Sequence, residues 1–424
     1  MNIVMLNNVS LDGDAVIKRG GGSGGGTTGG GGNTGGGGTA PVSKGDVTFY
    51  DYDGTILHGY TKDEFLALTA MPELPTREGL ICQEWNWDFD EAIAYVSEYG
   101  ILDVGATYIT DDGKTRFYIT IESKVVSEIT LNFSLPTPNS LVIDWGDGVK
   151  DAVSGTGDNM NAVHKYEDAG DYVIAFEVAE GAIVIFKTQI FGSNNVYTSM
   201  LKKVEIGNGV ISMYSKTFAS CYSLSSIVLP KSMTNIDTYT FSYCYSLSSI
   251  VLPKGMTSID AYAFISCSSL SSIVMPQSVK SVSSNAFQYC SSLASVVIPE
   301  GVNRIGIQTF ASCYSLSSIV IPQGVTNIGG YGLEGCYPLS SIVMPQSMKS
   351  IDGYALSSCR SLVILDFSKS TSVPTLSSTG SIPSQAELRI IVPDDLYDTW
   401  IAATNWSSHA SKIIKKSYWD ASQA

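Results

Sequence analysis

Cys244-Tyr245-Ser246-Leu247-Ser248-Ser249-Ile250-Val251-Leu252-Pro253 is one turn of a pattern that returns every 23 residues. Seven of the eight cysteines keep that step: Cys221, Cys244, Cys267, Cys290, Cys313, Cys336 and Cys359. Leu224, Leu247, Leu270, Leu293, Leu316, Leu339 and Leu362 follow in register, then Ile227, Ile250, Ile273, Val296, Ile319, Ile342 and Leu365. Pro230, Pro253, Pro276, Pro299, Pro322 and Pro345 close the apolar run. A period in the range of roughly 20–30 residues specifies a solenoid, whose units bury their apolar faces only by stacking on one another. In the quoted stretch Ile250 and Leu252 face one way and Ser249 and Val251 the other, and proline ends the ladder, so each unit adds one short strand. The other half of a unit, such as Met256, Ile259, Ala263 and Phe264 before Cys267, is too short for a strand and a long helix. It predicts a turn followed by a short helical or 3₁₀ segment. Phe218, Phe241, Phe264, Phe287 and Phe310 are its expected inward anchors, with Leu333 and Leu356 taking that place later.

The unit, an aromatic, two residues, cysteine, two residues, leucine, two residues, isoleucine and a proline-closed strand, resembles the cysteine-containing leucine-rich repeats of the BspA-like family. The resemblance runs from about Leu201 to Phe367 and begins with a degenerate unit (Leu201, Val204, Ile206) in which Gly207 replaces proline. Eight parallel strands at the usual spacing would make a curved stack about 34 Å long. Leu388 to Val392 is expected as a last strand, with the amphipathic stretch Leu396 to Ile401 capping an edge that would otherwise pair with another chain. The cysteines read as small apolar fillers. A disulfide or metal reading has less behind it: there is no Cys-x-x-Cys, and only His58, His164 and His409 could supplement a ligand set.

Charge is uneven. Residues 46–190 carry 26 acidic and 8 basic side chains, whereas 201–367 carry 7 acidic and 9 basic. Neither part offers the basic stripe that nucleic acid requires. No apolar run reaches the about 18 residues of a membrane span, so no membrane insertion is expected. Met1 to Arg19 has no continuous apolar core and does not read as a signal peptide. Instead Ile3, Val4, Leu6, Val9, Leu11, Val16 and Ile17 form a short apolar-rich peptide, with too little mass for a core, read as an anchor that docks on another protein. The stretch that follows, Gly20 to Gly38, is nearly pure Gly, Ser and Thr and lacks the Gly-Lys-Ser/Thr of a phosphate loop, so it reads as a tether.

Residues 46–113 read as a small α/β module: Val47 to Tyr50 a strand, Thr61 to Ala70 a helix opened by the capping box Thr61-Lys-Asp-Glu64, and Asp88 to Tyr99 a second helix. Phe49-Tyr-Asp51-Tyr-Asp53-Gly-Thr55 resembles the first motif of haloacid-dehalogenase-type phosphatases, and Asp111-Asp112 their later acidic pair. The module is too small for that fold, and a turn held by Asp53-Gly54 accounts for the motif. Residues 114–192 alternate as strands. Ile143-Asp144-Trp145-Gly146-Asp147-Gly148, followed by His164-Lys-Tyr166, Gly170 and Tyr172, resembles the PKD-type immunoglobulin-like sandwich, a family of spacers and binders of surface polymers. Asp144 and Asp147 could ligate calcium, but a turn held by aspartates is the preferred reading.

The expected architecture is therefore multidomain and β-rich. It comprises an anchor peptide (1–19), a glycine-rich linker (20–45), the α/β module (46–113), a PKD-like β-sandwich (114–192), a leucine-rich-repeat solenoid of parallel strands (193–367) and a C-terminal cap (368–424). No catalytic set, metal site or cofactor is assigned. Recognition is expected beside the cysteines, where Tyr and Ser alternate and tyrosine offers rigid amphipathic contact. The candidates are Tyr222, Tyr243, Tyr245, Tyr289, Tyr314, Tyr337 and Arg360. The alternative surface is the Ser/Val ribbon of the strands, an apolar patch if exposed. Together these features predict a non-enzymatic bacteriophage virion protein, a tail or head appendage. It would be held by its N-terminal peptide to other virion proteins and would present the repeats to a bacterial surface glycan or protein, with a homo-oligomer as one form it could take. Trp85-Asn86-Trp87 resembles segments of phage-derived repeat proteins. The alternative is a bacterial cell-surface BspA-like adhesin, and the third choice a phosphatase built on Asp51 and Asp53.

Overall fold

A computed structural model describes residues 42–122, 128–179, 181, 183–191 and 199–423. The anchor peptide, with Ile3, Val4, Leu6, Val9, Leu11, Val16 and Ile17, and most of the glycine-rich linker lie outside these residues.

The 23-residue period becomes a parallel register. Ile250 sits opposite Ile273, Val296 opposite Ile319, and Ile342 opposite Leu365. The first ladder starts at Leu201–Glu205 and includes one three-residue strand per unit up to Ile364–Asp366. It continues through Arg389–Val392 to Ile413–Lys415, giving a solenoid of about ten turns. Leu388 to Val392 is therefore not the last strand, as the sequence had predicted. The chain returns after the helix Tyr397–Ala402, which buries Trp400 against Phe367 and Trp406 at 5.0 and 5.4 Å, and adds one more coil. The final helix, Lys416–Gln423, follows directly.

The other half of each unit contains no helix in the repeats. It holds a two-residue strand, such as Asn235–Ile236 or Ser258–Ile259, in a second parallel ladder, and then a run of turns. Two residues per turn take a left-handed backbone, for example Tyr239 (φ 60°) and Tyr243 (φ 60°), all of them non-glycine except Gly335, and this interrupts helical propagation. The N–H groups thus released bond to the next coil, Tyr239 to the Ala261 carbonyl at 3.2 Å and Tyr243 to that of Ile265 at 2.8 Å. The exchange recurs in each coil from Lys216 and Ser220 to Tyr331 and Gly335, so it belongs to the architecture.

Between the ladders the side chains stack. Phe218, Phe241, Phe264, Phe287 and Phe310 form a column with centroids 5.7, 5.3, 5.3 and 5.5 Å apart, and Leu333 and Leu356 extend it, fully buried. The repeat cysteines are free thiols and are more than filler. Cys244 donates to the Phe218 carbonyl of the preceding coil at 3.2 Å, and the bond recurs from Cys267, Cys290, Cys313, Cys336 and Cys359. Burial pushes all seven thiols up, to about 12 at Cys221 and Cys359, which keeps the donor proton in place.

The solenoid begins on a sheet rather than on an open edge. Numbered along the chain from residue 47, the strands are β1 (Val47–Tyr50), β2 (Ile56–Tyr60), β3 (Leu80–Trp85), β4 (Leu102–Thr110), β5 (Thr115–Ile121), β6 (Glu128–Asp144), β7 (Lys150–Lys165), β8 (Gly170–Val178) and β9 (Val184–Phe186). β5 pairs antiparallel with Leu201–Glu205, and β9 pairs parallel with Val210–Met213, so both ladders are covered at this end. β6 joins these pieces: its N-terminal part meets β9, its last four residues meet β8, and β7 runs along it as a long hairpin. Gly207 stands where the later units have proline because a Cβ there would lie 2.3 Å from the Gly113 carbonyl.

Residues 47–110 fold as the mixed sheet β2-β1-β4-β3 with two helices, α1 (Lys62–Leu66) and α2 (Phe89–Tyr99). Thr61 and Glu64 form the expected capping box, but α1 ends at Leu66, short of Ala70. Phe49, Phe65, Trp85 and Tyr108 fill its core.

Candidate binding face

The strand ribbon is the first surface to test. Ser249 and Val251, expected to point away from the core, are both buried, and so are Ser226, Val228, Ser272 and Val274. The α/β module lies across them. Val228 and Val297 join the core of that module, while Tyr50 and Ile56 pack on Val251 and Val274. Gly105 of β4 allows the approach, since a Cβ there would stand 2.4 Å from a Val251 methyl.

Polar contacts fix the docking. Asn86 donates to the Leu252 and Val274 carbonyls at 3.2 and 3.3 Å, and its own oxygen accepts from the Gly105 N–H at 2.8 Å. The Trp87 indole donates to the Met275 carbonyl at 3.0 Å, and the Tyr95 hydroxyl to that of Ile298 at 2.9 Å. The Tyr99 hydroxyl accepts from the Gln323 N–H at 3.1 Å. Lys44 donates to the Ser295 hydroxyl at 2.8 Å, and Asp88 pairs with Lys254. The ribbon is thus no free apolar patch. It emerges only past the module, where Val343 is 45% exposed. Trp85-Asn86-Trp87 is the clasp: Trp85 fills the module and the next two residues bind the solenoid backbone.

The turn face is open. Tyr243, Tyr245, Tyr289, Tyr314, Tyr337 and Arg360 are exposed, while Tyr222 is half-buried. Tyr222 and Tyr245 stack at 5.2 Å and Tyr314 and Tyr337 at 5.1 Å, with the Arg360 guanidinium 4.8 Å above Tyr337. These pairs stand at the two ends of the face, and Ser268 and Ser291 occupy the same place in the coils between them. Tyr243 lies edge-on to Tyr245 at 6.2 Å, which joins the residues on the two sides of Cys244 into one surface.

A further row, not predicted from the sequence, borders this surface: Lys216, Tyr239, Tyr262, Asn285, Gln308, Tyr331 and Tyr354. All seven take the left-handed backbone. Tyr239 stacks on Tyr262 at 4.6 Å and Tyr331 on Tyr354 at 5.3 Å. The Asn285 amide bridges Gln288 and Gln308 at 2.9 and 3.1 Å. Burial, then the phenols of Tyr262 and Tyr243, hold the Tyr239 hydroxyl above its ordinary value, in keeping with one continuous face. The 23-residue step alone marks this row; it was hidden because its residue types vary.

Residues 183–294 and 280–379 match the family described as BspA type leucine rich repeat region, in six copies. These residues form a BspA-type leucine-rich repeat region. Solved structures with similarity to the chain include a leucine-rich repeat protein from Bacteroides ovatus (23% identity over 50% of this chain and 66% of that one, TM-score 0.34). Others are the leucine-rich repeat protein of T. pallidum (25% identity, 51% and 86%, TM-score 0.32) and a leucine rich cell surface protein from Faecalibacterium prausnitzii (19%, 57% and 88%, TM-score 0.28). No curated protein matches the chain.

Outside the BspA-type repeats the acidic motifs are structural. Asp51 is fully buried and ion-paired with Arg77, and Asp53 accepts from the Thr55 N–H at 2.9 Å in the β1–β2 turn. Asp144 accepts from the Gly146 N–H at 3.0 Å and pairs with Lys150 at 2.8 Å, while Asp147 accepts from the Val149 N–H and meets His164 Nε2 at 2.7 Å. Trp145 stacks on that histidine at 4.8 Å, and the Tyr166 hydroxyl donates to the Trp145 carbonyl at 2.7 Å. Among the described residues no group of three His, Cys, Asp or Glu side chains converges on a metal position, and no helix is long and apolar enough to cross a membrane.

Proposed function

We propose that this chain is a non-enzymatic adhesion protein that meets its ligand through the turn face of the repeats, with Tyr222, Tyr243, Tyr245, Tyr289, Tyr314, Tyr337 and Arg360 as contact residues. The observation that carries this reading is the closure of the strand face. The α/β module covers the ribbon from Ser226 to Val297, so the turn side is the broad aromatic surface left to a partner. Tyrosines held rigid by stacking, interspersed with serines, supply contact area and hydrogen bonds at low entropic cost.

Two carriers fit this role. The apolar peptide and glycine stretch ahead of the modules support a bacteriophage tail or head appendage, and the BspA-type repeats support a bacterial cell surface. Mass spectrometry of purified particles and surface labelling of intact cells distinguish them. For the binding face itself, the double substitution Tyr245→Ser and Tyr314→Ser is expected to weaken attachment of the full chain to bacterial cells at least tenfold while the protein stays folded. Unchanged attachment would contradict the proposal.

A further inference from the structure

A cleft of about 330 Å³ opens in the middle of the repeats, beside the gap between the two tyrosine stacks. Its lining includes Lys280, Ser281, Ser283, Ser284, Asn303 and Arg304, and no carboxylate. Lys280 and Arg304 stand on successive coils of the second ladder, both exposed, and among the described residues neither makes an ion pair or a side-chain hydrogen bond. Several other cations on the repeats are engaged, Lys216 over Tyr239, Lys254 with Asp88 and Arg360 over Tyr337, and what sets Lys280 and Arg304 apart from the exposed Lys231 and Lys349 is that they share one cleft. Ala261 also lines the cleft and precedes Tyr262, while Ser284 precedes Asn285, so the cleft is continuous with the bordering row of the turn face.

We propose that this cleft holds the carboxylate of a hexuronic-acid saccharide. The inference rests on the turn face being the binding face and names the ligand class for it. An Arg fork and a Lys ammonium are suited to one carboxylate, since charge-assisted hydrogen bonds are the strong ones. Serine and asparagine groups match the hydroxyls of the same sugar, which a lipid surface or an apolar peptide would leave unpaired. Neighbouring sugars then run along the coil axis towards Tyr262 on one side and Tyr331 on the other. The net charge of −15 works against a nucleic acid, with its dense phosphates, yet tolerates a single carboxylate held by two cations.

Calorimetric titration of the full chain with trigalacturonate and with its methyl ester isolates the charge. The acid is expected to bind at least tenfold more tightly than the ester, and the double substitution Lys280→Gln and Arg304→Gln, at exposed positions, is expected to remove that difference. Equal binding of acid and ester, no binding of either, or a difference that survives the double substitution overturns the inference. The cell-attachment assay of the tyrosine variants is read separately. Attachment lost in those variants with acid and ester indistinguishable rejects the uronate site and keeps the binding face; attachment unchanged rejects the face as well.

Discussion

Asn86→Asp should destabilise the docking of the α/β module by about 2–4 kcal/mol, although it changes a single amide to a carboxylate of the same shape. The side-chain amide gives two N–H donors to carbonyls on neighbouring coils and takes one N–H from Gly105. A carboxylate keeps only the last of these contacts and turns an oxygen towards the Leu252 and Val274 carbonyls. Asn86 is 1% exposed, so water cannot replace the lost partners. Urea unfolding followed by tryptophan fluorescence, to which Trp85 and Trp87 contribute two of the six tryptophans, should show a transition for release of the module at lower denaturant than in the parent protein. An unchanged transition for Asn86→Asp would mean that the clasp is not what holds the module on the strands.

Phe264→Ala should cost about 3–5 kcal/mol, the range for emptying an aromatic position in a packed core. Phe264 lies 5.3 Å from both Phe241 and Phe287 in near-parallel stacks, so its removal leaves a void bordered by two coils. A repeat protein holds itself together largely by such nearest-neighbour contacts between coils. Phe264→Leu is the informative partner. Leu333 and Leu356 occupy the same column without loss of burial, so leucine should cost less than about 1.5 kcal/mol. Denaturation midpoints of the two variants should therefore differ clearly. Similar midpoints would show that filling the column is not what stabilises these coils.

The repeats were legible because their information is local and periodic. Cys244, Leu247, Ile250 and Pro253 fix strand, register and inward face within ten residues, and the period copies them. Asn86 and Trp87 were quoted for their unusual sequence, but their partners lie 166 to 188 residues away and are backbone carbonyls, which carry no side-chain signature. The closure of the strand face was therefore out of reach, and Ser249 and Val251 looked like surface. The turn geometry was hidden for a related reason. Glycine usually announces a left-handed backbone, yet here Lys216, Tyr239, Tyr243 and Ser266 adopt it because the next coil satisfies their N–H groups. The tyrosines beside the cysteines were found by aligning the repeats. Tyr239, Tyr262, Tyr331 and Tyr354 were not, since Asn285 and Gln308 break the row.

The central claim is that the strand face is closed by the chain's own N-terminal module, which leaves recognition to the turns. Thiol labelling tests it most directly. The repeat cysteines are buried and protonated, so with Cys82→Ser as background a maleimide reads only an added thiol. Ser249→Cys places one beneath the module, where the native side chain is 3% exposed, and Val343→Cys places one on the same ribbon beyond it, at 45%. The account predicts rapid labelling of the native protein at position 343 and protection at 249 until the protein is unfolded. Equal labelling at the two positions would contradict it.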